Sequence, residues 1–215
     1  MKLLGLVALL LLALTACQGE ESQPAPMPEA ASQQAVPKHL ARCVQFKDDI
    51  RRANFLYWGV DFPYWYAIGQ AQQESSCRAD ITAFDSGQGL FQFMPATAKE
   101  VEGKMREAVD PNIAADAIRM NAYYMRQLHN QNWTGWLWLT YQAYNGGWGN
   151  LKKEYQRAGV SDWALMKSQC QRKKVTLKSG QVLDFCEVNY DYSRKVRING
   201  DYFRIGDDCI SFWGS

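Results

Sequence analysis

The sequence predicts a mainly α protein with at most two small β elements. Three observations carry this. Apolar residues recur at helical spacing through most of the chain after residue 38. Cap and breaker residues punctuate those stretches. Strict alternation appears in one place only, KKVTLKSGQVLDF, around Ser179-Gly180.

Leu40, Cys43, Val44, Ile50, Ala53 and Tyr57 approximate one helical stripe over 39–57. Asp61 and Pro63 then offer a cap and a first-turn proline for a helix running to about 75, with Trp65, Ile68, Ala71 and Gln72 on one side. Residues 78–91 hold Gly87-Gln88-Gly89 and read as a loop or short β excursion. A helix is expected over 95–104. Asp110-Pro111 repeats the cap-then-proline signal before a helix of about twenty residues carrying Ile113, Ala117, Ile118, Tyr124, Met125 and Leu128. WTGWLWLTYQAYNGG forms a very aromatic helix that stops at Asn145-Gly146-Gly147. Its Trp133, Trp136 and Trp138, with Trp148, are expected mainly in the core. Residues 148–158 form a further helix stopped at Gly159, and Ser161-Asp162 cap a short one. A β-hairpin follows, with Arg172-Lys173-Lys174 as a solvated basic face. NYDYSRKVR returns to helix and packs Tyr190, Tyr192 and Val196; the tail from Gly200 is aromatic and ambiguous.

The first 16 residues of the 215 read as a signal peptide: Lys2 supplies a positive start and 3–14 an apolar run too short to span a bilayer. Leu14-Thr15-Ala16-Cys17 resembles the bacterial lipoprotein box, which makes Cys17 the lipidated residue. Gln18 after it implies the outer membrane, facing the periplasm of a Gram-negative bacterium. Residues 17–38 are rich in Pro, Gln, Ser, Ala and Glu. They cannot bury enough apolar surface to order themselves, and read as a flexible tether reaching ~25 Å. The folded domain is 39–215, with an extension from about 165. A formal charge of +2 and no dense Lys/Arg block exclude a nucleic-acid partner.

Cys17 aside, five cysteines remain: Cys43, Cys77, Cys170, Cys186 and Cys209. Export makes disulfides expected, and Cys170 with Cys186 is the first choice, closing the short basic hairpin. Cys77 is either a disulfide partner or a packed thiol. No CxxC occurs and the histidines are His39 and His129 alone, so no structural metal site is expected.

Glu74 ends the second helix, where the negative end of the dipole raises a carboxyl pKa. Glu74-Ser75, Gly89-Leu90-Phe91-Gln92-Phe93-Met94-Pro95 and Ala143-Tyr144-Asn145-Gly146-Gly147, in that order and spacing, resemble the soluble lytic transglycosylase family. The resemblance covers roughly 45–160. It implies a lysozyme-like α+β catalytic domain, no cofactor, and peptidoglycan glycan strands as substrate. A partner in cell-wall machinery or a secretion system is compatible with it. Glycosidic cleavage needs a proton donor at the leaving oxygen, and a second carboxylate usually assists. Between Glu74 and Glu100 only Asp80 and Asp85 are acidic, and neither matches a catalytic position of the family. The family's chemistry dispenses with the second group. Glu74 acts as acid and then as base toward the sugar's own C6 hydroxyl, giving a 1,6-anhydromuramyl end.

The resemblance places Tyr144 as the hydrogen-bond partner of Glu74. Gln92 and Met94 line the glycan groove, Asn145 shapes the turn carrying Tyr144, and Ser75 braces the backbone. The sequence departs from the family at Cys77, Ala83, Ser86-Gly87 and Phe91. Ala83 removes a groove hydroxyl. Two other readings stay open: a water-using muramidase helped by Asp80 or Asp85, and a catalytically silent wall-binding lipoprotein.

Overall fold

A computed structural model of the chain describes residues 37–204. The expected signal peptide, lipidated Cys17 and tether up to residue 36, with Cys209 and the tail from 205, lie outside the described residues. Helices α1 (Lys47–Trp58), α2 (Trp65–Ser75), α3 (Pro95–Met105), α4 (Ala114–Asn130), α5 (Leu137–Gly146), α6 (Trp148–Ala158), α7 (Trp163–Ser168) and α8 (Phe185–Asp201) make up most of it. Strands β1 (Lys174–Thr176) and β2 (Val182–Asp184) form the expected antiparallel hairpin, with Val175 opposite Leu183. The mainly α class with one small sheet is therefore what the chain adopts.

Two helices have no polar face to show water. In α2 every residue from Trp65 to Ala71 is buried, and in α5 every residue from Leu137 to Ala143. A helix apolar all round belongs inside. The amphipathic α1 and α4 pack on each other, α4 packs on α5, and α8 packs on both α2 and α5. The α2–α8 crossing is very close. A Cβ on Gly69 would lie 2.1 Å from the Val196 carbonyl oxygen, and one on Gly200 would lie 2.8 Å from that of Trp65. Only glycine lets the two backbones meet there.

Four expectations need correction. The 39–57 helix opens as a 3-10 segment, Ala41–Phe46, before α1 begins. Asp61 does not cap α2: Phe62 stacks on Trp58 at 4.1 Å, and this burial turns the chain before the helix starts. Asp110 caps a turn, not α4: its Oδ1 accepts from the Asn112 N–H at 2.8 Å and its carbonyl from Ile113 at 3.0 Å, so α4 has 17 residues. The basic patch is not uniformly solvated. Arg172 makes a bidentate pair with Glu154 (2.8 and 3.2 Å) in which the side chains are 8% and 1% exposed.

Two disulfides staple the domain. Cys170–Cys186, the expected pair, fastens the base of the hairpin to the first turn of α8. Cys43–Cys77 ties the 3-10 segment to the residues just after α2, which settles the role of Cys77. Of the four tryptophans, Trp138 is fully buried, while Trp133 stays 37% exposed against Trp148 and Tyr155.

Candidate active site

Helix α2 ends abruptly. Ser76 and Cys77 both take left-handed backbone angles (φ 54° and 55°), and their N–H groups close onto the carbonyls of Gln72 and Ala71. Two consecutive non-glycine residues in that region cost roughly 1–2 kcal/mol each. The Cys43–Cys77 bond and Ser75 hold them there. The Ser75 hydroxyl donates to the Leu90 carbonyl (2.8 Å) and accepts from the Arg78 N–H (3.1 Å). It is buried, so its hydroxyl is spent on the backbone.

Glu74 projects from this last helical turn into an open cavity of about 550 Å³. Gln73 and Asn145 share one wall with it; Asp191, Tyr192 and Lys195 of α8 form another. Its carboxyl pKa is pushed up to about 8. Burial is the main cause, since it penalises the charged form. A hydrogen bond from Tyr192 opposes the rise and the negative charge of Asp85 adds to it. At neutral pH the group is therefore a protonated acid.

The hydroxyl that reaches Glu74 is that of Tyr192, which donates to Oε1. Tyr144 does not. Its hydroxyl donates to the Phe91 carbonyl at 2.7 Å, and its ring packs edge-on against Phe93 and Tyr124. Tyr144 still feels the Glu74 charge, which together with burial pushes its own pKa well up. The sequence predicts Tyr192 only as a packing residue of the last helix. Its role was hidden because 118 residues separate it from Glu74.

The remaining candidates divide. Asn145 lines the cavity and accepts from the Asn189 amide at 2.9 Å. Gln92 and Met94 are not among its walls. Gln92 has a left-handed backbone (φ 52°), and its amide donates inward to the carbonyls of Gly89 (2.7 Å) and Ile81 (3.3 Å). It locks the β excursion. Met94 is the N-cap residue of α3, with 44% of its surface exposed. The excursion itself is two isolated bridges, Thr82 with Gln88 and Gln88 with Phe93. It is seated by Gly89, where a Cβ would lie 1.7 Å from the Pro111 carbonyl oxygen. Among the described residues no group of three or more His, Cys, Asp or Glu lies together as a metal ion would need.

Residues 55–166 match the family model of the transglycosylase SLT domain. That span holds Glu74, Ser75, Gln92, Met94, Tyr144 and Asn145 but stops short of Tyr192. No curated protein matches the chain. Among solved structures, the 70 kDa soluble lytic transglycosylase of Escherichia coli has a similar fold. Its TM-score is 0.55 at 21% identity, over 71% of this chain and 24% of that one. The chain thus spans about a quarter of that protein's length.

Proposed function

The chain belongs to the transglycosylase SLT family, and on that premise we propose that it is a peptidoglycan lytic transglycosylase. It cleaves the MurNAc–GlcNAc β-1,4 bond and leaves 1,6-anhydromuramyl ends. One observation carries the reading: of the three carboxyl groups lining the open cavity, Glu74 alone has its pKa pushed up to about 8 and is oriented by the Tyr192 hydroxyl, whereas Asp191 is paired with Arg194 and Lys195 and Glu187 with Lys167. A general acid works best with a pKa near the working pH.

The steps balance without water. Protonated Glu74 gives its proton to the glycosidic oxygen, and the bond from that oxygen to C1 breaks. The N-acetyl carbonyl of the same sugar stabilises the cation. Glu74, now a carboxylate, takes the proton of the C6 hydroxyl as O6 bonds to C1. The acid is regenerated. Tyr192 keeps its hydrogen bond throughout and stabilises the carboxylate formed midway.

Mass analysis of products from purified peptidoglycan tests this. Anhydro-ended muropeptides are expected, and Glu74→Gln should abolish their release while glycan binding persists. Hydrated reducing ends alone would instead establish the muramidase reading, for which Asp85, whose charge reaches Glu74, is the helper to examine. Wild-type binding without release would leave a wall-binding protein. The proposed site of action is the periplasmic face of the outer membrane, through lipid on Cys17.

A further inference from the structure

Asn145 stands on the cavity wall with Glu74, and its amide has only one way to lie. The reason sits behind it, on α8. Asn189 is buried, and its Nδ2 donates both to the Gln142 carbonyl (3.1 Å) and to Asn145 Oδ1 (2.9 Å). A backbone carbonyl can only accept, so Asn189 must turn its nitrogen toward α5. That nitrogen can only donate, so Asn145 must answer with its oxygen. Gly146 makes the approach possible, since a Cβ there would lie 2.4 Å from the same Nδ2.

With its oxygen held from behind, Asn145 keeps its Nδ2 for the open side, where the cavity lies. Asn189 Oδ1 is buried with no hydrogen-bond partner among the described residues. An unpaired buried acceptor is costly. Turning the amide over would be worse, because Oδ1 would then face the Gln142 carbonyl. Asn189 thus forgoes a bond of its own to fix the direction of a second amide. The group so presented is a neutral donor that cannot accept. Sugar hydroxyls both donate and accept, whereas an acetamido carbonyl oxygen only accepts and has two lone pairs. A donor of this kind therefore picks out the acetamido group. In the reaction above, the acetamide of the reacting sugar is engaged at its own C1. The acceptor left for Asn145 is the acetamide of a neighbouring sugar.

We propose that Asn189 is a positioning residue: it turns the Asn145 amide so that Nδ2 donates to an acetamido carbonyl oxygen of the glycan bound beside Glu74. This rests on the transglycosylase reading above. The pair sets how tightly an N-acetylated strand is held, not how fast its bond breaks. Asn189 lies beyond the matched family span of 55–166, so α8 supplies the device.

The test compares the full chain with Asn145→Ala, Asn189→Leu and the double variant on purified peptidoglycan. A neutral hydrogen bond of ordinary net strength corresponds to roughly a three- to tenfold effect. KM should rise by about that factor in each single variant, with kcat changed less than twofold and the pH profile unmoved. The double variant should match Asn145→Ala, because Asn189 acts only through Asn145. Additive effects, or an unchanged KM in Asn145→Ala, overturn the proposal. In a Glu74→Gln background, calorimetric titration with a GlcNAc hexamer should show the same weakening, while affinity for a glucosamine hexamer should be alike in all four proteins. Equal weakening toward both sugars would make Asn189 a packing residue and overturns it too. A readout that needs no Asn189 variant is the Asn145 side-chain amide in a ¹⁵N NMR titration of Glu74→Gln. Its resonances should shift with the GlcNAc hexamer and stay in place with the glucosamine hexamer. An amide silent to both sinks the proposal even where Asn189→Leu fails to fold. A wild-type protein that releases no anhydro ends fails differently: that result sinks the reaction, while the hexamer titrations still decide the amide.

Discussion

Glu74 is held between opposing influences that can be separated one residue at a time. Burial raises its pKa, the Asp85 charge raises it further, and the Tyr192 hydrogen bond lowers it. The acid must be protonated to work, so activity is lost as pH rises through its pKa of about 8. Tyr192→Phe removes the lowering influence and should move the alkaline limb to higher pH while kcat falls, because the carboxyl loses its orienting partner. Asp85→Asn removes a raising influence and should move the limb to lower pH. A pH–rate profile of each variant checks both signs. Limbs that shift in the same direction would contradict this account of the site.

At the scale of elements, the critical joint is the crossing of α2 and α8. One helix supplies Glu74 and the other supplies Tyr192, so their separation sets the hydrogen bond between them. Ala at an exposed helix interior is about 1 kcal/mol better than Gly. Gly103 of α3 has open space around its missing Cβ, so Gly103→Ala should slightly raise Tm. Gly69→Ala should do the reverse, since its Cβ would meet backbone atoms of α8 at 2.1 and 2.7 Å. It should lower Tm by several degrees, and activity at 25 °C should fall further than the residual folded fraction explains. Thermal melts beside turnover assays on the two variants separate propensity from collision. At Gly146 the collision is with side chains instead: a Cβ would lie 2.1 Å from the Arg172 guanidinium and 2.4 Å from the Asn189 amide.

The molecule as a whole closes around its C-terminal third. The hairpin and α8 lie beyond the matched family span, yet α8 packs on both central helices. Its first turn is held by Cys170–Cys186, and its Tyr190 donates to Glu154 at 2.8 Å. Glu154 is in turn neutralised by Arg172 from the start of the hairpin. Deleting one partner of a buried ion pair leaves the other charged and unsolvated, at a cost of about 3–5 kcal/mol. Arg172→Ala should therefore destabilise the whole domain by that order in urea unfolding, whereas Lys174→Ala, which breaks the exposed pair with Asp184, should cost under ~1 kcal/mol. Equal effects would mean that the Arg172 pair does not lock the C-terminal third.

Much of this protein was legible in its sequence because much of it is local. Helical periodicity and the Gly146-Gly147, Gly159 and Asp162 signals act within a few residues, and α6, α7 and the hairpin follow them closely. Burial also follows from pattern: α5 is mostly apolar and its residues Leu137 to Ala143 lie inside. Glu74 could be singled out because its flanking motifs are contiguous. What the sequence could not determine is who touches whom. Tyr144 is a partly buried tyrosine and Tyr192 a buried one, and only the docking of α8 through Gly69 and Gly200 gives the second the carboxyl and leaves the first bonded to Phe91. Cap signals failed at Asp61 and Asp110 for a related reason: nearby turns and ring stacking captured residues that local propensity assigns to helix starts. Propensity is a matter of a few tenths of a kcal/mol per residue, whereas burying one aromatic ring is worth roughly 2 kcal/mol, so where the two disagreed the tertiary structure decided.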